Sequence, residues 1–365
     1  MNKNIDVLII GGGPAGLSAA LSLSKTDLKV LLIERDPFLG GQLLKQTHMF
    51  FGSKNEFAGT RGYEIGNILS SSINQSKNIE VLLNTTAAGY YNEENMLLAL
   101  RNEEEIINIE FKKVLISTGA IEKSLLFENN DLPGIYGAGA VQTLMNMYGV
   151  LPGKNIVMIG SGNIGLIITY QLIQAGANVK AIIEATSKIG GYFVHAAKIS
   201  RLGIPIYTKT TVEKAYGKDQ LEAVDIVSLD ENWNIVTGTE RKIDCDTLCL
   251  AVGLSPLTEI LWQFNCQMKY IPELGGHVAI RDKKMMTSNR NVYIAGDVAS
   301  IEEASSAMLE GTIAGISIAE SLGCLDNDLE LKREEANHNL FELRNGPFGN
   351  KINAGINRIE ANDVI

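Results

Sequence analysis

Cysteine is scarce in this chain of 365 residues: there are four, Cys245, Cys249, Cys266 and Cys324, and no two form a C-x-x-C pair. That spacing excludes a cysteine-held zinc or iron–sulfur centre within the chain. Cys245 and Cys249 fall in a predicted strand, where four residues span about 13 Å, too far for a disulfide, so they read as buried apolar residues. Positive charge is also short. With 32 Lys and Arg against 42 Asp and Glu the net charge is -10, which argues against nucleic acid or an anionic membrane surface as partner. No apolar run approaches the ~20 residues that span a bilayer. The opening Met1-Asn2-Lys3-Asn4 leads straight into an apolar segment without a signal-peptide pattern, so a cytoplasmic protein is expected. The remaining composition, 45% hydrophobic and 20% charged, is that of an ordinary folded protein of about two domains.

What is present begins with Asp6-Val7-Leu8-Ile9-Ile10-Gly11-Gly12-Gly13-Pro14-Ala15-Gly16. A Val/Ile-rich run ends in glycines and a helical, alanine-rich segment (residues 14–25) follows, the context in which G-x-G-x-x-G means dinucleotide binding. Gly11 permits the tight turn, Gly13 lets the backbone approach a pyrophosphate, and Gly16 lets strand and helix pack closely. Pro14 is tolerated at the helix start, and the phosphates would face the helix N-terminus. The next strand, Val30-Leu31-Leu32-Ile33-Glu34, ends in an acid placed to accept hydrogen bonds from a ribose. Arg35 follows it, and Gly40-Gly41-Gln42 then makes a turn. A helix is expected from about Glu64 to Gln75. A β-meander is expected over Ile79–Val114, closing in Lys113-Val114-Leu115-Ile116-Ser117-Thr118-Gly119-Ala120.

The pattern then repeats. Asn155-Ile156-Val157-Met158-Ile159 leads into Gly160-Ser161-Gly162-Asn163-Ile164-Gly165 and a helix, and Val179–Glu184 is a strand ending in an acid. A second meander over about 204–236 closes in Asp246–Gly253. A further buried strand, Asn291-Val292-Tyr293-Ile294-Ala295-Gly296-Asp297, has no fingerprint and most simply completes the first domain, with a long helix over 302–322 behind it. The expected fold class is therefore α/β: two Rossmann-like, three-layer dinucleotide-binding domains, the second inserted in the first, each with a β-meander. The expected boundaries are 1–120 and 251–325 for the first domain, 121–250 for the second with its connecting segment, and 326–365 as a helical or irregular tail.

Two fingerprints, the Ser-Thr-Gly-Ala and Ala-Val-Gly-Leu-Ser-Pro closures and Tyr-Ile-Ala-Gly-Asp resemble the two-dinucleotide flavoprotein disulfide-reductase superfamily (pyridine nucleotide-disulfide oxidoreductases) over about residues 5–323. The resemblance implies FAD on the first domain, held by Gly11, Gly13, Pro14, Ala15, Gly16, Glu34, Arg35, Gly41, Gln42, Thr118, Gly119, Gly296 and Asp297, the last bonding the ribityl chain. It implies NAD(H) on the inserted domain, at Gly160, Gly162, Asn163, Ile164, Gly165, Glu184 and Gly253. The turn from Val298 to Glu303 would set a helix N-terminus against the charge of a reduced flavin. Glu184, followed by Ala185 and Thr186 with no arginine beside it, favours a ribose 2′-hydroxyl over a 2′-phosphate, hence NADH over NADPH.

The cysteine pair of the disulfide reductases is missing. Leu43 and His48 stand where one branch carries it, and Gly137–Leu144, where the thioredoxin-reductase branch does, has none. Residues 40–48, 190–198 and 301–308 resemble flavoprotein subunits of multi-subunit amine dehydrogenases: relatives of sarcosine oxidase alpha, opine oxidase, hydrogen cyanide synthase and dye-linked proline dehydrogenases. That narrower resemblance implies a chain partnered by a second flavoprotein or an iron–sulfur subunit, with a small amine or imino-acid substrate on the partner. A free-standing NADH:acceptor reductase of ferredoxin or rubredoxin type is the alternative, and a non-catalytic nucleotide-binding scaffold is the alternative of another class. Lys45 and His48 are the candidate catalytic residues, near the flavin ring as proton carriers; the structural reading has Lys45 paired with an acid and His48 capping the loop. His195 reads as a packing residue and His277 as a turn-edge residue. The tail segment Leu340–Phe348 either packs back on its own surface or docks a partner.

Overall fold

The computed structural model describes residues 1–50, 54, 57–92, 96–346 and 349–363; most of the expected turn at 92–95, part of the glycine-rich stretch 52–62, and Pro347 and Phe348 lie outside the described residues. The elements run β1 (Asn2–Ile10), α1 (Pro14–Leu23), β2 (Val30–Ile33), α2 (Gly62–Asn74), β3 (Ile79–Leu82), β4 (Thr85–Tyr91), β5 (Met96–Arg101), β6 (Glu105–Ile116), β7 (Ala120–Glu122), β8 (Ile135–Gly137) and α3 (Ala138–Tyr148). They continue β9 (Asn155–Ile159), α4 (Asn163–Gln174), β10 (Asn178–Ile183), α5 (Phe193–Arg201), β11 (Ile206–Tyr207), β12 (Thr210–Tyr216), β13 (Ala223–Ser228), β14 (Arg241–Asp244), β15 (Thr247–Leu250) and β16 (Leu254–Pro256). The chain ends α6 (Glu259–Gln263), β17 (Met268–Ile271), β18 (Gly276–Ala279), β19 (Val292–Ile294), α7 (Ala304–Ser321), α8 (Asn327–Leu343) and α9 (Gly349–Asp363). It divides into two compact units, Met1–Ile121 with Ser255–Ile365, and Glu122–Leu254.

The first unit is built on a sheet of order β3-β2-β1-β6-β5-β4, with β19 also pairing β6. β1 shows why an unbroken apolar run becomes a central parallel strand: both of its faces are covered. Val7 and Ile9 join one cluster with Leu17 and Ala20 of α1 and Ile313 and Ala314 of α7. Leu8 and Ile10 join another with Leu97, Ile109, Phe111 and Phe264. α1 and α7 approach so closely that a Cβ on Gly311 would sit on the Ala15 carbonyl, and one on Gly315 on the Ala19 carbonyl. β6 is a single long strand. Its first half pairs β5 antiparallel and its end pairs β19 parallel, while β1 runs along its other edge.

The meander here is shorter than the sequence pattern suggests. Ile79–Leu82 leaves it and pairs β2 in parallel, because α2 carries the chain over as a βαβ crossover. Asn78 secures that turn, its side-chain amide donating to the carbonyls of Leu23, Thr26 and Leu28. In the segment expected as a helical or irregular tail, Asn327–Leu343 and Gly349–Asp363 are two helices within the first unit. Asp326 caps the first of them through the Leu329 N–H at 2.8 Å, and Leu329, Ala336 and Leu340 bury one narrow face against the core.

The second unit repeats the plan. A fully parallel sheet β11-β10-β9-β15-β8 carries Ile156 and Met158 towards α3, α4 and α5, and Val157 and Ile159 towards the meander β12-β13-β14. That meander spans residues 210–244, later than expected, since Ile206-Tyr207 extends the parallel sheet instead. Both units are thus three-layered: helices, parallel sheet, meander. Among the described residues no helix is long and apolar enough to cross a membrane.

Candidate functional site

Each unit presents a glycine turn at the head of its central strand. In the first, Gly11 has φ +106°, open to glycine without strain, and a Cβ on Gly16 would collide with the Gly11 carbonyl. In the second, Gly160 has φ +99° and Gly165 stands in the same way against the Gly160 carbonyl. The middle glycines behave differently. A Cβ on Gly13 or on Gly162 would meet nothing within 4 Å, so each turn leaves open space before its helix. Pro14 starts α1 and Asn163 starts α4; neither N-cap has a side-chain cap and neither first turn holds an acid. The helix-end N–H groups thus face outward with their partial positive charge, the arrangement that receives a phosphate.

The acids at the ends of the second strands are tied to these turns. Glu34 Oε2 accepts from the Gly12 N–H at 2.6 Å and Oε1 from the Asp36 N–H at 2.9 Å. Glu184 Oε2 accepts from the Ser161 N–H at 2.9 Å and hydroxyl at 2.5 Å, and Oε1 from the Thr186 N–H and hydroxyl, both at 2.8 Å. The two environments differ in proton affinity. Burial pushes the Glu34 carboxyl above its ordinary value, and its two backbone bonds do not offset this. Burial also acts on Glu184, but its four donors outweigh it and hold that carboxyl below the ordinary value.

A second glycine pair braces each turn, a link that the sequence pattern alone does not make. The Gly40 N–H donates to the Gly12 carbonyl at 2.8 Å, and Gly41 lies against Gly13. The Gly191 N–H donates to the Ser161 carbonyl at 2.8 Å, and Gly190 lies against Gly162. The Gly-Gly in both repeats was the available signal. Ser117 also escapes the sequence pattern: its hydroxyl donates towards the carbonyls of Ile10 and Gly11, both at 3.0 Å, fixing the first turn from the closing strand.

Of the remaining candidates, Thr118 donates to the Leu257 carbonyl at 2.8 Å, Gly119 has φ +76°, and Ala15 packs beneath Gly296. Gln42 and Arg35 are exposed, with Arg35 3.8 Å from Asp36. In the second unit the Asn163 side chain accepts from the Tyr192 N–H at 2.8 Å, Ile164 is exposed, and the Gly253 carbonyl accepts from the Lys123 N–H. Lys45 ends a short 3₁₀ turn, Gly41–Lys45, and His48 lies flat on Phe50 with ring centroids 6.1 Å apart. Arg61 donates to the Thr47 carbonyl, and Gly62 admits Gln46, so the 43–48 loop is clamped by the start of α2. His195 lies on α5 beside Tyr192, and His277 on β18 between Trp262 and Tyr270.

The Gly296–Asp297 turn lies against Ala15 at the start of α1. The Gly296 N–H donates to Glu310 Oε2 at 2.9 Å, and Asp297 Oδ1 accepts from the Glu302 N–H at 3.4 Å. Burial pushes the Asp297 carboxyl up to about 7; the Glu302 N–H bond opposes this, while the charges of Glu302 and Glu310 add to it. Gly137–Leu144 forms the start of α3, and there Glu122 takes the helix end, accepting from the Gly139 N–H at 2.6 Å and the Ala140 N–H at 3.2 Å. Cys245, Cys249 and Cys266 are buried with thiols raised by desolvation, Cys245 to about 12; Cys324 is half-buried.

Two such turns, each at the head of a parallel sheet, define a Rossmann-type oxidoreductase with two nucleotide sites. Residues 5–311 match the family described as pyridine nucleotide-disulphide oxidoreductase, and the chain belongs to that family: it is an oxidoreductase that binds FAD and a nicotinamide nucleotide. It is 26% identical to the HcnB subunit of hydrogen cyanide synthase from Pseudomonas protegens, over 91% of this chain and 74% of that protein. It is 27% identical to the A subunit of opine oxidase from Rhizobium meliloti, over 91% of this chain and 75% of that one. It is also 26% identical to the alpha subunit of sarcosine oxidase from a Corynebacterium, over 88% of this chain but only 33% of that longer protein. Among solved structures it resembles L-proline dehydrogenase from P. horikoshii (TM-score 0.69, 26% identity, 92% of this chain and 59% of that one). Its likeness to T. acidophilum thioredoxin reductase (TM-score 0.71, 23% identity, 88% and 99%) is one of fold alone.

Proposed function

We propose that this chain is the FAD- and NAD-binding subunit of an amine or imino-acid dehydrogenase complex of sarcosine, opine or proline type, working in the cytoplasm. The observation that carries the reading is the pair of turns whose middle glycines, Gly13 and Gly162, open onto empty space before uncapped helix ends. Both spaces suit a pyrophosphate, so the residues present fit two dinucleotides.

On this reading Gly11, Gly13, Pro14, Ala15 and Gly16 receive the FAD pyrophosphate, with Gly41 and Gln42 along its edge. Glu34 keeps lone pairs for a ribose after bonding Gly12 and Asp36. Thr118, Gly119, Gly296 and Asp297 border the flavin side. Gly160, Gly162, Asn163, Ile164, Gly165 and Gly253 receive the nicotinamide nucleotide. Glu184 is kept ionised by its four donors and so repels a 2′-phosphate, which favours NADH. When bound, the two cofactors supply hydride transfer between nicotinamide and flavin. Lys45 and His48, on the clamped loop, are the groups proposed to hold or move a proton beside the flavin. Because no cysteine stands at Leu43, His48 or the start of α3, electrons leave by a carrier outside this chain. Kinship with subunits of hydrogen cyanide synthase, opine oxidase and sarcosine oxidase supports a second flavoprotein or iron–sulfur partner.

Purification of the tagged chain from its own cells tests this. Co-purification with a flavoprotein or iron–sulfur subunit, in a complex that reduces a dye with a small secondary amine or imino acid, is the expected result. A chain that purifies alone and passes electrons from NADH to ferredoxin or rubredoxin would instead make it a free-standing reductase.

A further inference from the structure

Behind the Gly296–Asp297 turn lies a buried network of charges. Glu310, on α7 and 1% exposed, accepts from the Gly296 N–H with one oxygen. Its other oxygen accepts from Arg281 at 2.9 Å and Arg344 at 2.6 Å. Arg344 reaches on to Glu302, Nη2 to Oε1 at 2.5 Å and Nε to Oε2 at 3.0 Å. Glu302 in turn gives its N–H to Asp297 and accepts from the Ser300 hydroxyl at 2.6 Å. Arg344 therefore bridges the residue whose side chain holds Gly296 and the residue whose backbone holds Asp297. It comes from the end of α8, and its own carbonyl accepts from Asn353 of α9 at 3.0 Å. A Cβ on Gly349 would sit on the Arg344 backbone, so the two helices close tightly around it.

Buried charges are retained only when paired, and removing one partner leaves the others uncompensated. Without Arg344, two buried carboxylates would face Asp297 with Arg281 alone, and the turn would lose its bridge. We propose that Arg344 is a positioning residue for the flavin: by joining Glu302 to Glu310 it fixes the Gly296–Asp297 turn and makes the C-terminal helix pair part of the cofactor site. This rests on the reading that the turn holds FAD. Arg333, also buried on α8, pairs with Glu320 and Glu330 at 2.7 Å and 2.6 Å, away from the turn. It serves as the control for loss of an equally buried arginine on the same helix, one whose acid partners are more exposed.

The test is FAD dissociation from the full chain, followed by flavin absorbance and fluorescence, alongside Tm and the flavin midpoint potential, for Arg344→Gln, Arg344→Lys, Arg333→Gln and Asp297→Asn. Arg344→Gln is expected to weaken FAD by on the order of tenfold and to shift the potential. Arg333→Gln is expected to lower Tm with the potential unchanged. Arg344→Lys keeps the charge but not the two-carboxylate fork, so it is expected to rescue Tm better than FAD affinity, and it stands in if Arg344→Gln does not fold. Wild-type FAD affinity and potential in a folded Arg344 variant, with Asp297→Asn weakened, would overturn the proposal. Wild-type behaviour of Asp297→Asn would overturn the reading of the turn itself, and the proposal with it.

Discussion

The Glu34 carboxylate accepts a 2.6 Å hydrogen bond from the Gly12 N–H, so the end of the second strand is fastened to the middle of the first glycine turn. Glu184 is fastened to Ser161 in the same manner in the second unit. The fastening shapes both turns in advance, and a nucleotide need not order them on arrival.

The open space at Gly13 separates folding from binding. Its φ of -77° suits any residue and a Cβ would touch nothing, so Gly13→Ala should leave the Tm of the apoprotein unchanged or slightly raised. The same methyl occupies the space assigned to the pyrophosphate, and FAD affinity should fall by on the order of tenfold or more. Gly16→Ala, which strikes the Gly11 carbonyl, should cost about 1–3 kcal/mol of stability before any question of binding. Thermal melts and flavin titrations of the two variants check both statements.

Removing the charge at Glu184 should erode the choice of nucleotide. Glu184→Gln cannot accept all four of the bonds that Ser161 and Thr186 donate, and it no longer repels a 2′-phosphate. The ratio of kcat/KM for NADH over NADPH should drop by on the order of tenfold, mainly through KM. A wild-type preference for NADPH contradicts the assignment.

Asp297 gives the apoprotein a pH signature. Its carboxyl ordinarily titrates at 3.8 and in the folded chain is pushed up to about 7, chiefly by burial. The folded state therefore keeps a proton that the unfolded chain has released, so stability falls as pH rises from about 4 through about 7. Above that window the penalty is complete. Urea unfolding across this range should show the decline in the wild type, and Asp297→Asn should lack that part of it.

The cysteines should be spectators. The buried thiols of Cys245, Cys249 and Cys266 are held protonated by desolvation, leaving half-buried Cys324 as the one able to react readily in the folded chain. Thiol titration before and after anaerobic reduction by NADH should give the same count, whereas a disulfide relay would add two.

What was legible in the sequence was local. Val7–Gly16 and Ile156–Gly165 carry strand, turn and helix in one continuous stretch, and each acid follows at the end of the next strand, so short-range chemistry announces them. Ile79–Leu82 reads like any meander strand, and only the crossover through α2 draws it beside β2. Ser117 carries no signal beyond being small, although its hydroxyl holds the Gly11 carbonyl. Arg281, Glu310 and Arg344 lie far apart in the chain with ordinary neighbours, and the fold alone makes them partners. Asn327–Leu343 has so narrow an apolar face that its helical packing left little periodic trace.

The most direct measurement is anaerobic titration of the purified chain with NADH while its visible spectrum is recorded. The expected result is a yellow protein whose flavin absorbance bleaches with NADH, and a Gly162→Ala variant that needs far more NADH yet bleaches fully with dithionite. A chain that binds no flavin, or a flavin that dithionite reduces and NADH does not, would contradict the assignment of the two sites.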